Sequence, residues 1–295
     1  MQQYFQKMKK FQQKMTFEMK KMKELWFYKI NLYDKNLIVF DGGLGSQLLS
    51  YFQYVYLVRN GHIPKVNVEY FNLEENSAFD PNFIRRPWAL NRYGINISML
   101  RNQTDSPPSL NLKIPTNLLF ENNPLYFKKF KDLELSTKLP TDKKALLNFL
   151  RSHKVSKDYY AIHLRRGDFL TSASVNISDF ETLQLCNTFF KNIEKLPIFI
   201  FSDSSIKKAW SFKLKKLGFN QVILCGPADS NLFLTHDLMR NAKILITSNS
   251  TYSLSAALLA RKDQLTIVPM KFYSGYRDEP VNRVINELSS FSILS

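Results

Sequence analysis

The chain has 295 residues, 44% hydrophobic and 14% aromatic, which is enough for one large domain or two of ordinary size and excludes a largely disordered protein. Its formal net charge of +16 favours a polyanionic partner, whether nucleic acid, anionic lipid or a phosphorylated small molecule.

The first 29 residues form a basic stretch without Gly or Pro, in which methionine recurs every seven residues beside aromatic side chains. Eight lysines stand against Glu18 and Glu24, a net charge of +6. This pattern predicts an amphipathic basic helix, which we treat as a separate segment over residues 1–35. Three fates remain open for it: packing on its own domain or a sister subunit, lying on an anionic membrane, or a frayed extension.

A short apolar run at 37–40 predicts a strand, and "DGGLGSQL" at 41–48 predicts a glycine-rich turn that leads into an aromatic helix. Such a turn opens a helix N-terminus onto a ligand. It has neither the ending of a P-loop nor the spacing of the dinucleotide fingerprint. "VNVEYF" at 66–71 predicts a second strand, and from about 72 to 145 we expect loops and short helices.

The second half of the chain alternates short apolar runs with helical patterns. The predicted strands are 159–164, 197–202, 221–225, 243–247 and 265–269, and the predicted helices cover about 179–195, 204–217, 231–241 and 251–261. Near-continuous apolar strands that alternate with helices are typical of a parallel sheet covered on both faces. Ligands bind at the carboxyl ends of such strands, where this chain has "RRGD", "SDS", "GPADS" and "SNST".

The segment "HLRRGD" puts two arginines at the end of the first of these strands. Arg165 and Arg166 are adjacent, so in a strand they point to opposite faces, and one can enter a pocket while the other anchors structure. Guanidinium groups fit phosphate and keep their charge, and Asp168 is close enough to orient one of them. The alternative is a surface turn held by a salt bridge.

The segment "TSNSTYSLSAALLA" at 247–260 ends a strand with hydroxyl side chains and then starts a helix. It offers backbone N–H groups and the positive end of a helix dipole, although simple helix capping explains it equally well by itself. Together with the arginines it predicts a phosphate site.

Asp203 in "SDS" can accept hydrogen bonds from a ribose or base, or cap the next helix. No Asp-x-Asp pair occurs, so arginines and helix N-termini must neutralise any diphosphate.

The set "GGLGSQL", "HLRRGDF", "FSDS" and "SNSTYSLSAALL" resembles, in order and rough spacing, the motifs of the α-1,2-fucosyltransferase family, a glycosyltransferase family 11-like group. The resemblance covers about residues 36–270. The chain departs from the family pattern at Ser46 in place of Asn, at Tyr252 in place of Phe, and at Leu254–Ser255 in place of an aromatic pair.

The resemblance implies an α/β, GT-B-like fold of two Rossmann-like lobes, with an acceptor-side lobe at 36–150 and a GDP-fucose-binding lobe at 151–295. The GDP-fucose site is expected at the strand carboxyl ends of the second lobe. The expected reaction is inverting transfer of L-fucose from GDP-fucose to a galactose-containing oligosaccharide in α-1,2 linkage, without metal or cofactor. The expected product is a surface glycan such as O-antigen or capsule, or its precursor.

The resemblance also implies residue roles. Arg165 binds the GDP phosphates as the catalytic residue, with His163 supporting it, while Arg166 and Asp168 hold the loop or touch GDP-fucose. The other expected contacts are Asp203 to the nucleoside, Ser248, Asn249, Ser250 and Thr251 to the phosphates, and Gly42, Gly43 and Gln47 facing the cleft from the first lobe.

The base that accepts the proton of the acceptor hydroxyl is left open. Asp168 is suitably placed, but two neighbouring arginines should lower its pKa and make it a poor base. Glu181, Asp41 and His62 are the other candidates.

The sequence favours a cytoplasmic enzyme, and the membrane-bound fate of residues 1–29, one of the three left open, would place it at the inner membrane face. It has no run of 18 apolar residues and no signal-peptide core. Cys186 and Cys225 form no metal-ligand cluster, so we expect buried thiols in a reducing compartment and no zinc.

The sequence leaves two alternatives to this function. A nucleic-acid-binding protein is disfavoured because no recognition motif accompanies the basic charge. A related glycosyltransferase with another donor or linkage, or an inactive relative, is suggested by Leu254–Ser255.

Overall fold

The computed structural model of the protein describes residues 37–72, 86–100, 139–167, 177–229, 231–248 and 250–267. The predicted basic helix over 1–29 lies outside these ranges.

The first unit is a two-stranded parallel sheet crossed by a long helix. Strands β1 (Leu37–Val39) and β2 (Lys65–Asn67) pair in parallel, and helix α1 (Leu44–Arg59) connects them. Apolar side chains of both strands and of the helix are buried together, among them Ile38, Val66 and Phe52. The strand predicted over 66–71 is wrong beyond residue 67, because a 3-10 helix (Glu69–Asn72) follows.

The second unit is a five-stranded parallel sheet in the order β5-β4-β3-β6-β7. Its strands are β3 (Tyr160–Leu164), β4 (Ile198–Ser202), β5 (Val222–Cys225), β6 (Ile244–Ile246) and β7 (Leu265–Ile267). Its helices are α2 (Lys143–Ser152), α3 (Asp179–Phe190), α4 (Ala209–Lys216), α5 (Leu232–Asn241) and α6 (Thr251–Leu258). The predicted parallel α/β class is confirmed, and two parallel sheets agree with the two-lobed arrangement that the resemblance implies.

Helices cover both faces of this sheet, which explains why its central strands are apolar throughout. Ile162 on β3 packs with Phe190 of α3 and Trp210 of α4 on one face. The opposite face, which includes Ala161 and Phe199, packs against α2, α5 and α6. Successive residues of a strand alternate between the two faces, so both alternating sets must be apolar.

The strand order places a topological switch point beside β3. From β3 the chain proceeds to β4 and then β5 on one side, and it returns through α5 to β6 on the other side of β3. The connections that follow β3 and β6 therefore diverge. Open α/β sheets bind ligands in the crevice outside the strand carboxyl ends at such a point.

Helix α2 was not predicted, because it lies where the irregular region was expected to end. Asp142 accepts a hydrogen bond from Ala145 N at 3.0 Å and caps the helix, and Leu146 and Leu150 are buried against the second sheet. The predicted boundary between 150 and 151 therefore falls inside a helix of the second unit. The division into lobes at that point stays a prediction.

Helix α6 is shared by both units. Leu254 and Leu258 pack into the core of the first unit, whereas Ala256 and Ala257 pack into the core of the second. Its small side chains let two hydrophobic cores approach one helix. The start of α6 consequently lies next to the turn that precedes α1.

Candidate functional site

Three motifs far apart in the chain meet at the start of α6. His163 Nδ1, near the end of β3, lies 2.6 Å from Ser248 Oγ, in the loop before α6. Ser46 Oγ, in the first turn of α1, lies 3.3 Å from Thr251 Oγ1. The glycine-rich turn, the "HLRRG" strand end and the "SNST" segment therefore form one site at the switch point.

Gly45 allows α1 to approach α6. A Cβ atom at this position would lie 2.4 Å from Tyr252 N and 2.5 Å from the carbonyl carbon of Thr251. Backbone atoms cannot yield at such distances, so only glycine fits. Gly42 and Gly43 were predicted as site residues and Gly45 was not, although its place in "GGLG" was a signal that could have found it.

The remaining residues of the glycine-rich turn have different roles. Gly42 has φ +63°, a left-handed conformation that suits glycine, while a Cβ on Gly43 would meet nothing within 4 Å. Gln47 is fully buried: its Nε2 donates to Gly42 O and Pro87 O at 2.9 and 3.0 Å, and its Oε1 accepts from Ala89 N at 2.8 Å. The expectation that Gln47 faces the cleft is corrected, because its whole amide is used to hold the turn.

His163 is buried and neutral. Its ring centroid lies 5.7 Å from that of Tyr252 in an edge-on arrangement. Burial lowers the pKa of His163 to about 4, with the positive charges of Arg165 and Arg166 acting in the same direction and Asp203 opposing them. An uncharged imidazole thus holds Ser248 in place, and the expected support of Arg165 by His163 stays a prediction.

Asp203 is bound by the turn that follows β3. Its Oδ1 accepts from Arg166 N at 2.7 Å and from Gly167 N at 3.0 Å, and its Oδ2 lies 3.0 Å from Arg165 Nη1. Helix α4, which follows Asp203 in the chain, has Lys208 as its N-cap. The helix-cap reading of Asp203 is therefore corrected, because its carboxylate holds the "RRG" turn and pairs with Arg165, whereas the nucleoside contact stays a prediction.

The two arginines diverge as expected for adjacent positions at a strand end. Arg166 Nη1 donates to Ile177 O at 2.6 Å, and its Nη2 lies 2.5 Å from Asp179 Oδ1 at the start of α3. Arg166 therefore joins the turn to α3, in agreement with a loop-holding role. Arg165 instead pairs with Asp203 and is a quarter exposed.

Two helix N-termini adjoin each other at this site. Ser250 caps α6 by accepting from Tyr252 N at 3.3 Å, and Gly43 at the start of α1 provides no side-chain cap. Neither helix has an acidic residue in its first turn. Because each N-terminus carries partial positive charge, the arrangement suits an anionic ligand.

The candidate bases are spread over the structure. Glu181 forms a capping box at the start of α3, accepting from Ser178 N at 2.8 Å and from Ser178 Oγ at 2.7 Å. His62 follows the end of α1, and a helix of 16 residues is about 24 Å long, so His62 is remote from the turn. Asp41 adjoins Gly42 in the turn. Asp168 and Asn249 lie outside the described residues.

A buried ionic cluster beside α6 was not predicted from the sequence. Asp237 on α5 is 0% exposed, and its Oδ2 accepts from Arg92 Nη2 at 2.8 Å and from Asp142 N at 3.0 Å. Arg240 donates through Nη1 to Leu139 O at 2.8 Å. Burial raises the pKa of Asp237, and the Asp142 N–H and both arginines oppose that shift. The sequence of α5 shows charged residues on the helix but does not indicate that other elements cover them.

The described residues contain no group of three His, Cys, Asp or Glu side chains that could hold a metal ion. Within the same ranges, no helix has the length and apolar character needed to span a membrane. Cys186 and Cys225 are buried free thiols, and burial raises the pKa of each to about 12.

The sequence model of glycosyl transferase family 11 matches residues 112–283, more than half of the chain. No curated protein matches the sequence significantly.

Three solved structures are similar in part. POFUT1 in complex with GDP is 14% identical with a TM-score of 0.38, over 48% of this chain and 51% of that one, so the chain spans about half the length of that protein. The α-1,6-fucosyltransferase NodZ with GDP is 12% identical with a TM-score of 0.34, over 76% and 91%. A family 9 glycosyl transferase from Veillonella parvula is 11% identical with a TM-score of 0.41, over 89% and 99%.

Proposed function

The chain belongs to glycosyl transferase family 11, and from this membership we propose that it moves L-fucose from GDP-fucose to a hydroxyl group of a galactoside, in α-1,2 linkage. The observation that most supports the proposal is the meeting of the "HLRRG" strand end with the start of α6, through the 2.6 Å contact of His163 with Ser248. These segments belong to the motifs by which the sequence resembles α-1,2-fucosyltransferases.

In the proposed reaction, the acceptor oxygen bonds to the anomeric carbon of fucose while the bond from that carbon to the β-phosphate oxygen breaks, with inversion. Negative charge then grows on the departing GDP. We assign its stabilisation to the guanidinium of Arg165 and to backbone N–H groups at the start of α6. One such contact contributes about 2.7–4 kcal/mol to the stability of a transition state.

Asp203 supports this assignment for Arg165. A guanidinium has five N–H donors, so an ion pair from Nη1 to Asp203 is compatible with a further contact to phosphate. Fixing the side chain beforehand lowers the entropy lost on binding GDP-fucose. Because arginine and helix N-termini supply positive charge, and because no Asp-x-Asp pair occurs in the sequence, we propose that the reaction needs no divalent cation.

The proton of the acceptor hydroxyl must pass to a base, for which Asp41 and Asp168 remain proposals. Asp41 stands immediately before Gly42, in the turn that faces α6. Replacing each aspartate by Asn should separate them, since loss of the base lowers kcat and removes its ionisation from the pH–rate profile.

The acceptor is proposed to be a galactose-containing oligosaccharide of a surface glycan, such as O-antigen or capsule, or its precursor at the inner face of the membrane. The charge of +6 over residues 1–29 supports a membrane-linked acceptor. Linkage analysis of the product checks the bond position, and a product linked anywhere other than the galactose 2-hydroxyl contradicts that part of the proposal.

The direct test incubates the full chain with GDP-fucose, EDTA and a panel of galactosides, and detects the gain of one deoxyhexose by mass spectrometry. Arg165→Ala should lower kcat by about 100-fold or more with an unchanged melting temperature. Arg151→Ala, at an exposed arginine at the end of α2, is the control. Absence of both transfer and GDP-fucose hydrolysis argues against the function, and near-normal turnover of Arg165→Ala argues against its role.

A second candidate, a related transferase with another sugar nucleotide or linkage, is favoured by Leu254 and Ser255. Both are 0% exposed, and Ser255 Oγ lies 3.0 Å from His236 Nε2. The departure from the family's aromatic pair therefore changes packing around α6 as well as the chemistry near it. Thermal-shift comparison of GDP, UDP and CDP distinguishes the candidates: stabilisation by GDP is expected, and stabilisation by UDP alone would favour the second.

A further inference from the structure

Helix α4 has an outer face that the fold itself does not require. On its inner side Trp210 and Leu214 are 3% and 0% exposed, whereas Phe212 is 60% exposed. Residues four apart lie above one another on a helix, so Lys208, Phe212 and Lys216 form a single outward row. A large aromatic ring thus stands at the centre of the solvent side.

This outer face is strongly basic. Residues 204–228 contain five lysines and no Asp or Glu. We call the exposed residues Lys208, Phe212, Lys213, Lys215 and Lys216 the α4 basic face. Lys216 Nζ lies 4.5 Å from the centroid of the Phe212 ring. The ion pairs found among the described residues involve none of these lysines.

One charge on α4, that of Lys208, opposes the stability of the helix, whereas Lys213, Lys215 and Lys216 lie in the last turn, where positive charge is favourable. Lys208 is the N-cap and makes no side-chain capping bond, and the first turn has no acidic residue. In contrast, Asp142 caps α2 and Ser178 caps α3 through side-chain hydrogen bonds. A lysine at the positive end of a helix dipole is unfavourable. A residue that destabilises its own helix commonly serves a function instead. For Lys208 that function is binding to a negatively charged partner.

We propose that the α4 basic face docks on an anionic membrane, with its lysines against the lipid headgroups and Phe212 inserted at the boundary with the acyl chains. Basic helices with an exposed aromatic bind membranes in this way. Lysine suits the diffuse charge of headgroups, whereas nucleic-acid sites favour the arginine fork and a row of aromatic stacking platforms. The face contains no arginine and one ring.

This surface is distinct from the N-terminal segment and independent of the proposed reaction. Helix α4 is anchored in the core of the second unit by Trp210 and Leu214. Docking through it would fix the orientation of the second sheet relative to the membrane.

The test measures co-flotation of the full chain with phosphatidylcholine vesicles that contain or lack phosphatidylglycerol. The wild type should bind only the anionic vesicles. The variant Lys208→Gln/Lys215→Gln/Lys216→Gln should lose affinity on the order of 100-fold at low salt, because each lysine near the surface contributes about fivefold. Phe212→Ser should lose about tenfold or more, because the ring no longer leaves water.

The matched control is Lys143→Gln/Lys144→Gln/Lys157→Gln. It removes the same charge at exposed positions, two of them on α2, which packs on the opposite face of the sheet. The affinity of this control for anionic vesicles should change less than about threefold if binding depends on the α4 basic face in particular. Equal losses in the two triple variants, no loss in the α4 variant, or no binding of the wild type to anionic vesicles would each overturn the proposal. Unchanged melting temperatures confirm that the variants are folded.

A second readout reports insertion directly. Phe212→Cys can be labelled selectively with an environment-sensitive dye, because Cys186 and Cys225 are buried. Anionic vesicles should shift its emission to the blue, as expected for an apolar environment. Emission typical of water from vesicle-bound protein would contradict the insertion of this position.

Discussion

At the scale of single residues, short side chains determine how closely the three motifs approach one another. Ser46 reaches Thr251 at 3.3 Å, and Ser248 reaches the ring of His163 at 2.6 Å. Gly45 has no side chain to hold α1 away from α6. The site is therefore sensitive to the addition of a single methyl group, at positions that a sequence reading treats as ordinary turn residues.

Gly45→Ala should destabilise the protein by about 1–3 kcal/mol, because the new methyl group overlaps backbone atoms of α6 and forces the helices apart. Denaturant unfolding measures this change. Gly43→Ala is the matched control, since a Cβ there meets nothing within 4 Å and the residue has φ −84°. Equal stability of the two variants would contradict the close approach of α1 and α6.

Asp203→Asn should weaken GDP binding by about tenfold, because the neutral amide can still accept from the backbone but no longer fixes the guanidinium of Arg165 by charge. Titration calorimetry with GDP measures the effect. Asp229→Asn, at an exposed carboxylate beyond the end of β5, should change affinity little. If Asp203 instead contacts the nucleoside directly, Asp203→Asn should change the preference for GDP over other nucleotides. The affinity for inorganic pyrophosphate should then stay the same.

At the scale of elements, α5 and α6 connect the two units. Arg92, which lies in a 3-10 helix (Leu90–Tyr93) beside the core of the first unit, reaches Asp237 on α5 and lies 4.7 Å from the ring centroid of Phe233. Arg240 reaches Leu259 O at 3.2 Å, just beyond α6. A buried ion pair that joins elements so distant in sequence fixes their relative position, since breaking it leaves a charge without its partner.

Arg92→Met should destabilise the protein by about 2–4 kcal/mol, somewhat less than for a fully buried pair because Arg92 is 24% exposed. Chemical denaturation provides the measurement, and Arg151→Met at an exposed site is the control. The double variant Arg92→Met/Asp237→Leu should recover part of the loss, because it removes both charges together. If the double variant loses as much free energy of unfolding as the two single variants together, the two side chains do not interact.

At the scale of the whole molecule, two buried histidines make stability depend on acidity. Burial lowers the pKa of His163 to about 4 and that of His236 well below its usual value. The unfolded chain takes up these protons near pH 6.5, whereas the folded chain resists them. The unfolded state therefore binds more protons on acidification, and stability must fall as the pH falls.

The free energy of unfolding should decrease between about pH 6.5 and pH 4, with His163 contributing about 3 kcal/mol over that range. Denaturant titrations at a series of pH values measure the slope. His163→Asn should flatten it, because the variant has no imidazole at this position to take up a proton. A slope that His163→Asn leaves unchanged would show that this histidine is not kept neutral by the fold.

The parallel α/β class, the order of strands and helices in the second half and the segments that carry the site are all readable from the amino-acid sequence. These follow from periodicity and from the glycine and serine residues that punctuate it, which are local properties. Segment ends were less accurate: α3 ends at Phe190 instead of near 195, and α4 begins at Ala209 instead of near 204. Pairing and packing decide where a helix stops, and they depend on distant residues.

The partners of Gln47, Asp203 and Asp237 within the chain follow from tertiary contacts alone. Each is a polar residue whose type suits a ligand or solvent, and the fold instead gives each of them partners from its own chain. The need for glycine at position 45 likewise comes from α6, about 200 residues later in the chain. A local pattern indicates which residues can bind, but the partners that satisfy them are set by contacts between segments that only folding brings together.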